Sequence, residues 1–400
     1  MNLVKKIIED VKKNGDKAVR KYTEVFDKVK LKNFRVNKKE IREAYQKVDR
    51  KTLDMIKKAA GNIKEFAITQ LENFKNFEYT KNGITLGQKI VPIERIGVYV
   101  PGGRYPLPST ALMCIIPARV AGVKEIIVCS PRIKPITMVA ADLSGADLIF
   151  NIGGVQAIAA MAYGTETVPK VDKIVGPGNI YVTQAKKEVF GDTGIDLLAG
   201  PTEILIIADS QANPKFIAAD LLAQAEHDVN TKIIFISDSK SLIRKVNAEL
   251  KFQIEKLETK NIIKEAFKNR KVILVKNLKE AIKIANQEAP EHLMLQVKNP
   301  KKYLNQFKNY GSLFLGEYSA VAFGDYCSGP NHVLPTDKTA RYTGGLSVKD
   351  FIKIQTYQFI NKKGARKLAK TAIKFASIED LDAHKKSVEI RLRENEQKRY

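Results

Sequence analysis

Cysteine and histidine are scarce in this chain, three of one and four of the other among 400 residues. Cys114, Cys129 and Cys327 form no CxxC pair, and an odd count argues against a disulfide framework. Cys114 sits inside the apolar run ALMCII and Cys129 at the end of EIIVCS, so both read as core. Cys327 has no histidine at a short local spacing that singles it out, and no thiolate nucleophile is assigned. No stretch approaches the roughly 18 uninterrupted apolar residues of a membrane span. The opening MNLVKKIIEDVKK is amphipathic and lacks the apolar run of a signal peptide, so a cytoplasmic protein is expected. Also missing are a GxGxxG after any strand, a zinc finger, a helix-turn-helix signature and an RNP motif.

What is abundant is lysine. The formal net charge of +24 invites a nucleic-acid reading, but its distribution argues otherwise. Between Gly97 and Thr231 there are ten Lys/Arg against thirteen Asp/Glu, a local net of −3. The excess lies along polar helix faces such as KKIIEDVKKNGDKAVRK, with no basic-aromatic stripe. A solvated basic surface is the better reading, with weak polyanion binding at low salt as its consequence.

Residues 1–80 read mostly as helix, with a capping box at Asn37 and Glu40. A strand pair is expected at Ile84–Val91 and Arg95–Val100, turning at Pro92. The pattern then becomes α/β. RIGVYV runs into PGG (101–103), DLIFN into IGG (152–154), and KIV into GPGN (176–179), with helices between them. A second series follows: EILIIAD, a helix carrying LLAQAEHD, KIIFIS, KVILV, EHLMLQV and SLFLG. Short apolar strands alternating with helices signal mostly parallel sheets with covered faces, whose pockets form at the carboxyl ends of strands. Three glycine turns at such ends favour a phosphate-bearing ligand. The chain from about Ser347 reads as helical and basic, a tail that docks on the body or on another subunit.

Four places draw chemical attention. On a helix, Gln224 and His227 share a face and could meet one ion or ligand, although such a pair is ordinarily structural. Glu291 and His292 are adjacent after Pro290, an acid beside a natural general base at neutral pH, or else a plain surface dipeptide. Asp325 and His332 share the turn-rich GDYCSGPNHVLPT, where Asp325 could cap a turn or bind a ligand. His384 stands near the start of the final helix and could be only a surface residue. Two histidines, an aspartate and a glutamine make a plausible zinc set, with manganese or another divalent ion next, but spacing alone does not establish it.

RIGVYVPGG, STALM, NIGGVQAIAAMAYGTETVPKVDKIVGPGN, AGPTEILIIAD, LLAQAEHD, PEHL, GDYCSGPNHVLPT and DAHK occur in one order over nearly the whole chain. In that order they closely resemble the histidinol dehydrogenase family. The resemblance implies a zinc-dependent, NAD-linked homodimer converting L-histidinol to L-histidine through L-histidinaldehyde. It implies one zinc per subunit on Gln224, His227, Asp325 and His384, the last from the partner subunit. Glu291 and His292 would be the acid-base residues. Thr202, His332 and Glu379 would contact substrate along with the metal ligands and His292, and Tyr99, Gln156 and Asn179 would contact NAD. The implied fold is α/β, two incomplete Rossmann-like domains with small N- and C-terminal helical extensions used in dimerisation. Its parts would be 1–98 with 206–346, 99–205, and 347–400.

In the implied mechanism zinc orients the substrate, His292 takes the hydroxyl proton, and Glu291 activates water against the retained aldehyde before a second NAD is reduced. Thr202 stands where many members have serine, which keeps the hydroxyl and adds a methyl group. The chain also starts close to its first helix, which could shorten a dimer contact. Besides a purely structural metal protein, which would leave Glu291, His292 and the glycine turns without work, two other readings stay open on the residues alone. One is a zinc-assisted NAD dehydrogenase of another amino alcohol. The other is a basic polyanion-binding protein, which would need binding that survives physiological salt. Neither specific nucleic-acid nor membrane partners are expected.

Overall fold

Runs such as EIIVC, EILIIA and KIIFIS have no polar face to show to water, and they pair into sheets buried on both sides. The computed structural model describes residues 3–102 and 105–393. Helices α1 (Leu3–Asp27), α2 (Lys38–Gln46) and α3 (Arg50–Leu71) precede strands β1 (Phe77–Lys81) and β2 (Ile84–Pro92). The first parallel sheet is built from β3 (Arg95–Tyr99), α4 (Pro108–Ala121), β4 (Glu125–Cys129), α5 (Pro135–Ser144), β5 (Leu148–Phe150), α6 (Gly154–Tyr163), β6 (Lys173–Val175), α7 (Ile180–Val189) and β7 (Gly194–Ile195). The second contains β8 (Glu203–Ala208), α8 (Pro214–Ala225), β9 (Lys232–Ser237), α9 (Lys240–Ile254), α10 (Lys260–Ala266), β10 (Lys271–Leu274), α11 (Leu278–Glu288), β11 (His292–Gln296), β12 (Ser312–Leu315) and α12 (Val321–Tyr326). The chain continues through β13 (Ile352–Ile360), α13 (Lys362–Ile378) and α14 (Asp382–Arg393).

Contacts divide the chain into a larger unit, Met1–Leu71 with Ile93–Phe351, and a smaller one, Glu72–Pro92 with Ile352–Tyr400. In the larger unit the strand orders are β5-β4-β3-β6-β7 and β10-β9-β8-β11-β12, parallel throughout. Each is a five-stranded doubly wound sheet whose order reverses between two central strands, β3 and β6 in one, β8 and β11 in the other. The sheets begin at Arg95 and Glu203. Helix α1 packs on α6 beside the first sheet, burying Val4, Ile7, Ile8, Val11 and, after Gly15, Val19 and Tyr22. That spacing is a helical stripe, and Gly15, at φ 49, lets it turn where a side chain would strike Glu166.

The smaller unit contains an antiparallel sheet, β1-β2-β13, and the helices α13 and α14. Two expectations change here. The strands either side of Pro92 do not pair with each other: β2 pairs with β1 and β13, while β3 is central in the first parallel sheet. The segment after Ser347 is not wholly helical, because Ile352–Ile360 is a strand. It is exposed along all but its first residue, so it has no buried face to print an alternating pattern.

Candidate active site

The first sheet forms a cavity at its carboxyl edge, where the expected glycine turns lie. Its volume is about 610 Å³, and Tyr99, Gln156, Asn179 and His227 all line it. Tyr99 ends β3 and its hydroxyl accepts from the Gly154 N–H at 3.1 Å. Burial pushes this phenol up to about 12, so it stays protonated at neutral pH. Gln156 is wholly buried on α6, and neither amide atom has a hydrogen-bond partner. Asn179 caps α7, accepting from Tyr181 N at 3.0 Å and Val182 N at 3.1 Å. Gly103 of the PGG turn lies outside the described residues.

The GPGN turn is held from behind by a buried pair missed in the sequence. Lys186 donates to the Gly176 carbonyl at 2.9 Å, Asp196 accepts from the Gly176 N–H at 2.7 Å, and the two side chains bond to each other. Gly176 has φ 108, and a Cβ there would lie 2.2 Å from the Tyr99 carbonyl oxygen. Only glycine fits both constraints.

The second sheet supplies the reactive groups at the amino ends of β8 and β11, contrary to the carboxyl-edge expectation. Ala289, in a left-handed conformation, stops α11, and Pro290 leads into Glu291 and His292. Glu291 Oε2 accepts from the Thr202 hydroxyl at 2.5 Å and the Glu203 N–H at 2.8 Å. Thr202 in turn accepts from Gln224 Nε2. His292 Nδ1 is 3.0 Å from the Glu203 carbonyl, an acceptor only, so that nitrogen carries the proton. Its Nε2 is buried without a hydrogen bond, 3.5 Å from Asp325 Oδ1. His332 points Nδ1 at the Asp325 carbonyl at 2.7 Å and Nε2 at the Thr110 hydroxyl at 3.3 Å.

Electrostatics divide the two imidazoles. Burial works against a charged His292, but Glu291 and Asp325 outweigh it and raise the ring to about 10. Burial dominates at His332 and lowers it, leaving a neutral ring. Burial also opposes ionisation of Asp325, and His292 beside it more than compensates, holding that carboxyl below its usual range.

Two local expectations are corrected. Gln224 is buried within α8, but the helix ends at Ala225, so His227 lies past it. The His227 N–H still closes a turn onto the Gln224 carbonyl at 3.3 Å. Asp325 occupies the last turn of α12 rather than an irregular loop, because Val321–Tyr326 closes a short helix between the glycine-rich segments. Thr202, Gln224, Glu291, His292, Asp325 and His332 thus form one network, in which Gln224, Glu291 and His292 are buried and the other three half-buried. Glu379 caps α13 and His384 is in the first turn of α14, both exposed and both in the smaller unit.

The profile of the histidinol dehydrogenase family matches residues 1–392. The chain belongs to the histidinol dehydrogenase family. It is an enzyme of the oxidoreductase class. It is 49% identical over 397 residues to the histidinol dehydrogenase of Clostridium acetobutylicum, covering 98% of this chain and 92% of that one. The Methanocaldococcus jannaschii histidinol dehydrogenase is 48% identical over 395 residues, with 98% and 92% covered. The crystal structure of histidinol dehydrogenase from Elizabethkingia anophelis superposes with a TM-score of 0.95 at 40% identity, covering 98% of this chain and 92% of that one. The two parallel sheets are therefore a family architecture. Among the described residues no helix is long and apolar enough to cross a membrane.

Within this family architecture the donor chemistry suits a divalent cation. Gln224 commits Nε2 to Thr202, which leaves Oε1 as a ligand atom. His227 and Asp325 add an imidazole and a carboxylate. Among the described residues no three His, Cys, Asp or Glu side chains come together as a metal site.

Proposed function

We propose that this chain oxidises L-histidinol to L-histidine through L-histidinaldehyde, as a cytoplasmic homodimer using zinc and NAD. The observation that carries this reading is the buried Glu291–His292 pair, joined to Thr202 and Asp325 and set in the same unit as the cavity of Tyr99, Gln156 and Asn179. Gln224, His227 and Asp325, with His384 from a second copy, would hold zinc, which would supply a charge that orients the substrate, and the cavity of Tyr99, Gln156 and Asn179 would hold NAD, which would supply the hydride acceptor.

The chain's own residues account for the proton movements. With Nδ1–H held at the Glu203 carbonyl, His292 exchanges protons through Nε2, first with the substrate hydroxyl and later with the aldehyde hydrate. Its raised affinity for a proton comes from two adjacent carboxylates, and a cation drawing on Asp325 would relax it toward neutral pH. Glu291 spends Oε2 on Thr202 and the Glu203 amide and keeps Oε1 for water. His332 would lie against the substrate as a neutral ring, and Glu379 would be a further substrate contact.

The test is NADH formed per L-histidinol consumed by zinc-loaded protein, repeated after chelation. Two NADH per substrate, lost with the metal and restored by zinc, are expected. One NADH with free aldehyde would remove the second step, and oxidation of amino alcohols lacking the imidazole with equal efficiency would favour the other amino-alcohol reading.

A further inference from the structure

In a doubly wound sheet that binds a dinucleotide, an acid just past the second strand receives the hydroxyls of the adenosine ribose. Here the second strand of the first sheet is β4, and Ser130-Pro131-Arg132 follows it without an acid. Arg132 turns there in a left-handed conformation, φ 46, and lines the cavity with Pro131. An acid reaches the same cavity from elsewhere in the sequence. Asp27, the last residue of α1, lines it together with Tyr99 at the end of β3 and Gly102 just beyond.

Asp27 is an unusual group to leave in such a place. Its Oδ2 is buried and has no hydrogen-bond partner. Burial raises its carboxyl, and the nearby positive charge of Arg132 opposes that rise without a direct bond between them among the described residues. A buried carboxylate oxygen without a donor is costly, and a ligand that brings hydroxyls removes the cost. Leu3, Val4, Ile7 and Phe26, also from α1, add an apolar wall suited to a purine ring.

We infer that Asp27 receives the adenosine ribose hydroxyls and so selects NAD over NADP. This rests on the proposed function. A ribose diol offers two donors to one carboxylate. A 2′-phosphate offers none at neutral pH and sets two negative charges against a third. Arg132 is the group that would welcome that phosphate, and Asp27 offsets its charge. The helix that packs on α6 thereby supplies what the missing acid after β4 would have done.

The test is calorimetric binding of NAD and of NADP to full-length, zinc-loaded protein without substrate. The wild-type protein is expected to bind NAD more tightly than NADP. Asp27→Asn, which keeps the side chain's size, should weaken NAD roughly tenfold and narrow the preference. Asp27→Ala should bind NADP more tightly than wild type, and adding Arg132→Ala should abolish that gain. Thermal unfolding of each variant checks that it is folded. Unchanged NAD affinity and preference in a folded Asp27→Asn protein would overturn the role of Asp27 alone. Wild-type protein that binds neither dinucleotide would overturn the cavity's assignment as well.

Discussion

The Asp220 carboxylate accepts a hydrogen bond from the Gln296 amide at 3.3 Å, behind the candidate site. It also accepts from the Val321 N–H at the start of α12. Asp220 is four residues before Gln224 on α8, Gln296 four after His292 on β11, and Val321 four before Asp325 on α12. One buried acid therefore ties together the three elements that carry the site.

That acid is held at the expense of stability. Burial raises Asp220 from 3.8 to about 6, more than its two donors lower it. With the folded value above the unfolded one, its stabilising contribution is complete below pH ~4 and lost as pH rises through ~6. The loss at neutral pH is roughly 3 kcal/mol. Asp220→Asn keeps an oxygen for Val321 and offers a donor to Gln296 Oε1, which is buried without one. Urea unfolding should show the variant more stable than wild type at pH 7.5, with the gap closing toward pH 4. A gap that does not vary with pH would refute the ionised-acid account.

Glu291 and Thr202 make a sharper kinetic prediction. Glu291→Gln keeps an oxygen to accept from Thr202 and the Glu203 amide but loses the carboxylate that activates water. Aldehyde oxidation, assayed from added L-histidinaldehyde, should fall by roughly 10²–10⁴. Alcohol oxidation, followed by single-turnover NADH formation, should fall far less. Equal losses in both would assign Glu291 to orientation of His292 instead.

Much of this was legible in the sequence, and the exceptions share physical reasons. The parallel sheets declare themselves because strands buried on both faces have to be continuously apolar. Glu291 and His292 stand out because Pro290 ends a helix beside them. β13 was read as helix because an exposed strand need not alternate, and its pairing with β2 spans too much sequence to leave a local signature. The end of α8 before His227 has no Gly or Pro to announce it. Asp27 and Asp220 look like ordinary polar positions, one at a helix end and one in the run FIAADLLAQA, and only the packing shows that Asp220 and the Asp27 Oδ2 are buried.

The clamp on Gly176 allows fold and cofactor effects to be separated. The Lys186 and Asp196 side chains are 3% and 1% exposed, so removing one charge strands the other. Lys186→Met should cost roughly 3–5 kcal/mol in chemical unfolding. The double variant Lys186→Met/Asp196→Leu should recover much of that stability, since no charge is left unpaired. It should still bind NAD poorly, because the Gly176 N–H and carbonyl have lost their anchors. Full recovery of both properties would reduce the pair to a packing element.

The assignment of His384 to a second copy leads to a test that no single-chain variant can give. His227→Ala and His384→Ala should each lose zinc and activity, because each homodimer lacks a ligand in both of its sites. If each site takes His227 from one chain and His384 from another, a mixed dimer has one site with neither histidine and one with both. Mixing the two inactive proteins and allowing verified subunit exchange should then restore activity. With random exchange half of the dimers are mixed and one of their two sites is intact, so recovery should approach roughly a quarter of wild type, with bound zinc rising in parallel. Recovery of zinc and activity together would establish sharing. Complete exchange with no recovery of either would place His384 and His227 in the site of the same chain, or remove His384 from the metal set altogether, and zinc content of the single variants would decide between those two.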